Sequence, residues 1–160
     1  MEQRELGASP VGVVGLGCNN FGRRLDAERT AAVVDAALDV GVTLFDTADV
    51  YGDGLSEEYL GRALRGRRDE VVIATKVGHT MGDLGGAGAS ARWIRQAAAD
   101  SLRRLQTDRI DLYQLHVPDD THAARTRVIR RPAGAGNFAH LAVCGQKRRI
   151  IASGRSTARC

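Results

Sequence analysis

Short apolar runs alternate with longer segments of helical periodicity along the first three quarters of the chain. The apolar runs, at residues 11–16, 42–46, 71–76 and 110–116, are rich in β-branched side chains and are bounded by polar residues or glycines. The segments between them, at about residues 26–40, 56–66 and 90–106, repeat apolar side chains every three or four positions, as an amphipathic helix does. This alternation predicts βαβ units around a parallel sheet.

Capping residues indicate where the predicted helices begin and end. Asp26, Ser56 and Ser90 each precede a helical segment, so we expect their side chains to accept hydrogen bonds from the first turns. Gly41 supplies a stop after the first helix. Residues 6–10 fit neither period and are expected to form a short polar lead-in.

Three ionisable side chains mark the ends of predicted strands. Asp46, Lys76 and His116 each occupy the last position of a different strand, and Tyr51 follows Asp46 on a loop that contains glycines. The carboxyl ends of all strands of a (β/α)8 barrel meet at one mouth, where barrel enzymes keep their chemistry. In an open sheet only residues beside the switch point would meet. The pattern therefore favours a partial (β/α)8, or TIM, barrel of about the first four βα units.

The bulk composition is ordinary for a soluble globular protein, at 43% apolar and 26% charged residues. No apolar run approaches the roughly 20 residues that span a bilayer, and no signal peptide is visible, so we expect no membrane role. The three cysteines are odd in number and far apart, which is not typical of a disulfide framework. We therefore expect a cytoplasmic protein.

The charge distribution breaks sharply after Asp120. All 19 acidic residues lie at or before that position, whereas the last 40 residues contain nine Lys or Arg residues and no acidic residue. We therefore expect residues 1–120 to form one unit and residues 121–160 to be an irregular or disordered basic tail. The tail has three interpretations: a basic arm for nucleic acid or anionic lipid, a genuine domain with a short strand at Phe138 to Cys144, or translation in a shifted reading frame. We favour the third because out-of-frame GC-rich DNA yields such a composition, and the tail lacks the aromatic platform expected of a nucleic-acid binder.

Five ordered blocks of sequence closely resemble the aldo-keto reductase superfamily. They are G-L-G-C-N-N-F-G at residues 15–22, F-D-T-A-D-V-Y-G at 45–52, S-E-E-Y-L-G-R-A-L at 56–64, A-T-K-V-G at 74–78 and S-L-R-R-L…D-R-I-D-L-Y-Q-L-H at 101–116. Their order and spacing match the family from about residue 6 to residue 119. The resemblance implies NADPH-dependent reduction of aldehydes or ketones to alcohols, with a small carbonyl compound as the substrate.

The resemblance also implies that Asp46, Tyr51, Lys76 and His116 are the catalytic residues. Carbonyl reduction needs a proton for the developing alkoxide, and a phenol is a reluctant acid at neutral pH. A lysine ammonium beside Tyr51 favours the phenolate that remains after the proton leaves. Asp46 would keep Lys76 charged and oriented, and His116 would hydrogen-bond the substrate oxygen.

A cofactor-binding set is implied next to these residues. Gly17, Cys18 and Asn19 correspond to the loop that closes over the nicotinamide end of the cofactor, together with Asp46. From the residues alone, the same loop is equally consistent with an ordinary strand-to-helix turn. His79, in the glycine-rich loop after the third strand, has no partner that the sequence identifies, and no metal site is expected.

A complete (β/α)8 barrel takes about 250 residues, so a chain of 160 cannot close one. We therefore expect a truncated and impaired reductase in which much of the cofactor site, including the adenosine 2′-phosphate site, is missing. Two alternatives remain. One is a non-catalytic regulatory or interaction module, as in the potassium-channel β subunits related to this superfamily. The other is a non-functional fragment.

Overall fold

A computed structural model describes residues 2–6, 9–79, 88–117 and 119, and the backbone of residues 137–143. The strands within these ranges are β1 (Gln3–Leu6), β2 (Ser9–Gly12), β3 (Gly15–Gly17), β4 (Leu44–Asp46), β5 (Val72–Val77), β6 (Arg109–Leu115) and β7 (Asn137–Val143). The α-helices are α1 (Ala27–Asp39), α2 (Leu55–Ala63) and α3 (Ala91–Leu105).

The strands β3 to β7 form one parallel sheet in which each strand pairs with the next along the chain. The helix α1 connects β3 to β4, α2 connects β4 to β5, and α3 connects β5 to β6. This sequential order is that of a barrel wall, whereas a doubly wound sheet reverses its strand order at a switch point. The predicted parallel α/β architecture is confirmed, and β7 adds a fifth strand to the four predicted from periodicity.

Two of the three predicted helix caps are confirmed. The Asp26 side chain accepts a hydrogen bond from the Arg29 amide at 2.9 Å, and Ser90 accepts one from the Trp93 amide at 3.2 Å. Each bond satisfies an amide that has no acceptor within its helix. The observed helices begin directly after these residues.

The prediction that Ser56 caps α2 is wrong. The helix begins at Leu55, directly after a 3₁₀ turn at Tyr51–Gly54, and the left-handed Gly54 (φ +93°) is its cap. Ser56 is instead buried, where its hydroxyl donates to the Cys18 carbonyl and also bonds the Thr47 hydroxyl, both at 2.9 Å. The serine thus joins α2 to two strand ends and does not satisfy a helix terminus.

The prediction of a single strand at residues 11–16 is also wrong. Val13 and Val14 separate two strands there and are about half exposed. The first of these strands, β2, pairs antiparallel with β1, so Leu6, Ser9 and Pro10 of the predicted polar lead-in take part in strand pairing. The valines give this segment the composition of a strand, but the core covers neither side chain. Composition alone therefore predicts one continuous strand where the structure has two.

The core lies where the helices pack against the sheet. Phe45, Ile73 and Ile110, one from each of three neighbouring strands, are completely buried, and so is Leu60 of α2. Burying such a side chain contributes about 1.5–3 kcal/mol. The apolar sides of the helices therefore share one core with the sheet.

Part of the basic tail is included in the sheet. The strand β7 pairs parallel with β6, from Arg109 opposite Asn137 to Leu115 opposite Val143. Its bounds lie within one residue of the short strand considered for residues 138–144. Residues 120–136 and 144–160 lie outside the described residues, so the division at residue 120 stays a prediction.

Candidate functional site

The four implied catalytic residues come from the same edge of the sheet. Asp46 is the last residue of β4, Lys76 is the last but one of β5, and His116 directly follows β6. Tyr51 begins the 3₁₀ turn that follows β4. Because the strands are parallel, their carboxyl ends lie together and the four side chains converge.

Lys76 is held by two oxygen atoms. Its Nζ lies 2.8 Å from Oδ1 of Asp46 and donates to the Thr47 carbonyl, also at 2.8 Å. The lysine side chain is only 11% exposed, whereas that of Asp46 is 44% exposed. A buried ammonium needs paired partners of this kind, since leaving water without them is costly. The charge of Lys76 is therefore fixed at one position in the site.

Tyr51 lies between the lysine and the histidine. The Nζ of Lys76 is 5.0 Å from the centroid of the Tyr51 ring, within the range of a cation–π contact. The ring of His116 meets the Tyr51 ring edge to face, with 5.6 Å between their centroids. An ammonium, a phenol and an imidazole thus stand in a continuous row.

The environment of His116 disfavours its charged form. Partial burial lowers the pKa of this imidazole, and the nearby His79 and Lys76 lower it further, while Asp46 acts in the opposite direction. Its Nδ1 atom is buried and has no hydrogen-bond partner among the described residues. A neutral imidazole still has one N–H to donate to a substrate oxygen.

The turn that presents Tyr51 is pinned to β5. The amide of Thr47 donates to the Ala74 carbonyl at 2.9 Å, and the amide of Asp49 donates to the Lys76 carbonyl at 3.1 Å, which extends the sheet ladder past Asp46. Gly52 has a positive φ of +59°, and a side chain there would press against the backbone at Phe21 and the residue after it. The glycine after the tyrosine is therefore required by the turn.

The implied cofactor loop lies beside Asp46. Gly17 pairs with Asp46 across the sheet, and the Cys18 amide donates to the Asp46 carbonyl at 2.9 Å. Gly17 and Asn19 are exposed, but the Cys18 side chain is completely buried, and burial raises the pKa of its thiol to about 12. Only the backbone of Cys18 could therefore contact a ligand in this arrangement.

A buried polar cluster behind the turn was not anticipated from the sequence. Glu57 is fully buried, pairs with Arg104 at 2.7 Å and accepts a hydrogen bond from Thr75 at 2.6 Å. Asp49 is also buried, and burial together with the charge of Glu57 raises its pKa to about 7. The pKa of Tyr113 is raised by burial and by the same two carboxyls. The sequence suggests only that Glu57 lies in the first turn of a helix, where the helix dipole favours a negative charge, and no short-range pattern pairs it with an arginine 47 positions later.

His79 was also missed as a site residue. Its ring meets the His116 ring edge to face, with only 4.5 Å between the two centroids. The sequence signal was weak: a histidine three positions after Lys76, in a loop rich in glycine. Its partner is distant in sequence and becomes apparent only when β5 and β6 pair.

The fold and the site together define a parallel α/β protein whose ionisable side chains gather at the carboxyl ends of its strands, which is the layout of (β/α)8-barrel proteins. The chain belongs to the aldo/keto reductase family, whose model matches residues 13–153. The resemblance drawn from the five sequence blocks is confirmed, and the matched range continues beyond residue 119.

Individual relatives agree with this assignment. The chain is 40% identical over 122 residues to the uncharacterized oxidoreductase YqkF of Bacillus subtilis, in a match that covers 72% of this chain and 39% of the relative. An aldo-keto reductase from Bacillus halodurans, solved in its holo form, superposes with a TM-score of 0.73 at 34% identity, over 91% of this chain and 51% of that one. An aldo-keto reductase from Klebsiella pneumoniae in complex with NADPH gives a TM-score of 0.65 at 32% identity, over 84% of this chain and 46% of that one. The chain thus spans about two fifths of the length of this curated relative.

Two other features are absent from the described part of the chain. None of its helices combines the length and hydropathy required to cross a bilayer. Nor do these residues include a group of three or more His, Cys, Asp or Glu side chains that could hold a metal ion.

Proposed function

We propose that this chain forms the carbonyl-reducing site of an aldo-keto reductase that converts aldehydes or ketones to alcohols with NADPH, in the cytoplasm. The observation on which this proposal rests is the row of side chains at the strand ends. In that row Lys76 is 2.8 Å from Asp46 and 5.0 Å from the Tyr51 ring, whose other neighbour is the His116 ring. Membership of the family supports the reaction class.

Each side chain has a distinct role in the proposed reaction. Tyr51 gives its phenolic proton to the oxygen of the carbonyl as negative charge develops there. Lys76 stabilises the phenolate that remains, and Asp46 keeps the ammonium charged and in place. The N–H of His116 donates to the same carbonyl oxygen and orients it for reaction.

The residues beside Asp46 are suited to hold the nicotinamide end of NADPH. A Cβ built on Gly17 would meet no atom within 4 Å, so there is open space at that strand end. Exposed Asn19 and half-exposed Asp46 can supply polar contacts around this space. The cofactor, when bound, supplies the hydride that adds to the carbonyl carbon. The holo and NADPH-bound relatives support this part of the proposal.

We expect the 160-residue chain by itself to be an impaired reductase. The YqkF relative and the Klebsiella pneumoniae structure are each more than twice as long as the segment that matches this chain. Groups that hold the adenosine 2′-phosphate belong, in our proposal, to that further length. Weak NADPH binding with slow turnover is therefore the expected behaviour, and the activity of a whole reductase is a proposal for the longer protein.

The proposal can be tested by comparing two tyrosine variants. NADPH binding is measured by fluorescence, and turnover is measured by NADPH consumption with an aromatic aldehyde. Tyr51→Phe should leave NADPH binding unchanged and reduce turnover by about 100-fold or more, because general-acid catalysis contributes about 10²–10⁴-fold. Tyr59→Phe is the matched control, since Tyr59 lies on α2 and contacts Arg62.

Two outcomes would contradict the proposal. If Tyr51→Phe reduces aldehydes as fast as the unmodified chain, the assigned proton donor is wrong. If the unmodified chain neither binds NADPH nor consumes it at high protein concentration, the proposed function does not apply to this chain.

A further inference from the structure

The loop after β5 brings His79 into contact with His116. Gly78 has a φ of +125°, a backbone conformation that would be strained in a residue with a side chain. Its carbonyl accepts a hydrogen bond from the Gly88 amide at 3.1 Å. The turn at Gly78 places the His79 ring against the His116 ring, with centroids 4.5 Å apart and an interplanar angle of 82°. The backbone of the turn therefore brings His79 to the edge of the site, within reach of the His116 ring.

His116 is enclosed by aromatic rings on two sides. His79 meets it from the loop after β5, and Tyr51 meets it from the turn after β4, each at an interplanar angle of 82°. The charged groups near it are Lys76 of β5 and Asp46 of β4. Two edge contacts at nearly right angles favour one orientation of the imidazole.

Most of the neighbouring groups lower the pKa of His116. Protonation of His116 would place a positive charge beside the Lys76 ammonium and beside a second imidazole. Asp46 opposes this effect, but its carboxylate is already paired with Lys76 at 2.8 Å. His79 is thus the neighbour that can be changed without disturbing the Asp46–Lys76 pair.

We propose that His79 is a positioning residue, whose ring holds His116 in one orientation and in its neutral form so that a single N–H faces the substrate oxygen. This inference rests on the proposed function for the role of His116, but the contact and its effect on the imidazole are independent of turnover. No step of the reaction passes through His79.

The test is an NMR titration of the histidine ring protons in the purified chain, with the His116 signals assigned through a His116→Gln variant. In the unmodified chain His116 should titrate below the range of a free histidine. In His79→Phe the ring contact is kept and the second titratable group is lost, so the His116 midpoint should move to higher pH. In His79→Ala the ring is also lost, so the His116 signals should move further toward those of a freely rotating imidazole.

The outcomes separate this inference from the proposed function. If the His116 midpoint and chemical shifts are the same in all three proteins, His79 does not position His116, whatever the activity. If the midpoint shifts as expected but NADPH is not consumed, the proposed function fails and the contact stands. Where turnover is measurable, His79→Phe should displace the acidic limb of the pH profile of kcat, and Tyr59→Phe should not.

Discussion

The buried carboxyl of Asp49 makes the stability of this chain depend on pH in a specific direction. Asp49 lies between Asp46 and Tyr51 and is 1% exposed. Neither of its carboxyl oxygens has a hydrogen-bond partner of good geometry among the described residues. Burial, and then the charge of Glu57, raises its pKa from 3.8 to about 7, against smaller opposing effects of the Val50 amide, Arg104 and the site lysine.

The sign of the effect follows from proton uptake on folding. Between pH about 4 and pH about 7, Asp49 is protonated in the folded chain and ionised in the unfolded chain. Stability therefore falls as the pH rises through this window and is constant with respect to this group above it. One pKa unit corresponds to about 1.4 kcal/mol, so the full change is about 4 kcal/mol at most.

The variant that tests this reasoning is Asp49→Asn, which has nearly the same shape and cannot ionise. The free energy of unfolding is measured with urea for both proteins, at a pH near 4.5 and at a pH near 8. Near pH 4.5 the asparagine variant should be more stable by only about 1 kcal/mol, because the unfolded carboxyl is already mostly ionised there, whereas near pH 8 its advantage should reach up to about 4 kcal/mol. Comparing the proteins at each pH cancels the titration of every group that they share.

Asp53→Asn is the matched control for this experiment. Asp53 lies on the same turn, is exposed, and has a left-handed backbone (φ +55°) that asparagine also accepts. This variant therefore shows the effect of removing one exposed carboxylate from the same turn. If the stability difference for Asp49→Asn does not change with pH, or if it decreases as the pH rises, the Asp49 carboxyl is not held protonated by the fold and the reasoning is refuted.

Three further predictions concern the packing of the helices and strands. Glu57→Gln leaves Arg104 buried without its counter-ion, so urea unfolding should show a loss of about 3 kcal/mol; an unchanged midpoint would contradict this. Gly61→Ala forces a methyl group into the backbone at the end of α3 and should cost about 1–3 kcal/mol, whereas Gly17→Ala, where a Cβ meets nothing within 4 Å, should be close to neutral in stability. The Cys18 thiol should resist a thiol reagent at pH 8 in the folded chain and react on unfolding, because burial raises its pKa to about 12. Peptide mapping by mass spectrometry measures the labelling of this cysteine. Rapid labelling of the folded chain would contradict the prediction, because it would show that the thiol is accessible.

Local signals predicted most of the secondary structure of the first 116 residues. Asp26 and Ser90 have capping geometry because a side-chain oxygen and an amide three residues later can meet whatever the rest of the fold does. Ser56 has the same local signal, but it is used elsewhere because Gly54 already ends the preceding turn and the serine hydroxyl reaches the Cys18 carbonyl. Tertiary contacts decide such positions, and a short window of sequence does not contain them.

In the candidate site, too, local sequence predicts some contacts, whereas tertiary packing decides others. The strand-end positions of Asp46 and Lys76 predict that the two side chains meet, and the distance of 2.8 Å shows that they do. The contact between His79 and His116, and the ion pair between Glu57 and Arg104, join residues that are 37 and 47 positions apart. These partners depend on how β5 pairs with β6 and on how α2 packs against α3, which no local pattern specifies.

The two oxygen contacts of Lys76 have a further consequence for any carbonyl that binds beside it. A free lysine side chain samples many rotamers, and ordering it costs about 1.5–2 kcal/mol. The Asp46 carboxylate and the Thr47 carbonyl already select one arrangement in this chain. The entropy of ordering this side chain is therefore lost when the chain folds and not when a ligand binds. Avoiding this loss on binding increases the population of competent complexes by a factor of roughly 10–30. The site is therefore preorganised on the side of the lysine, before any cofactor or substrate is present.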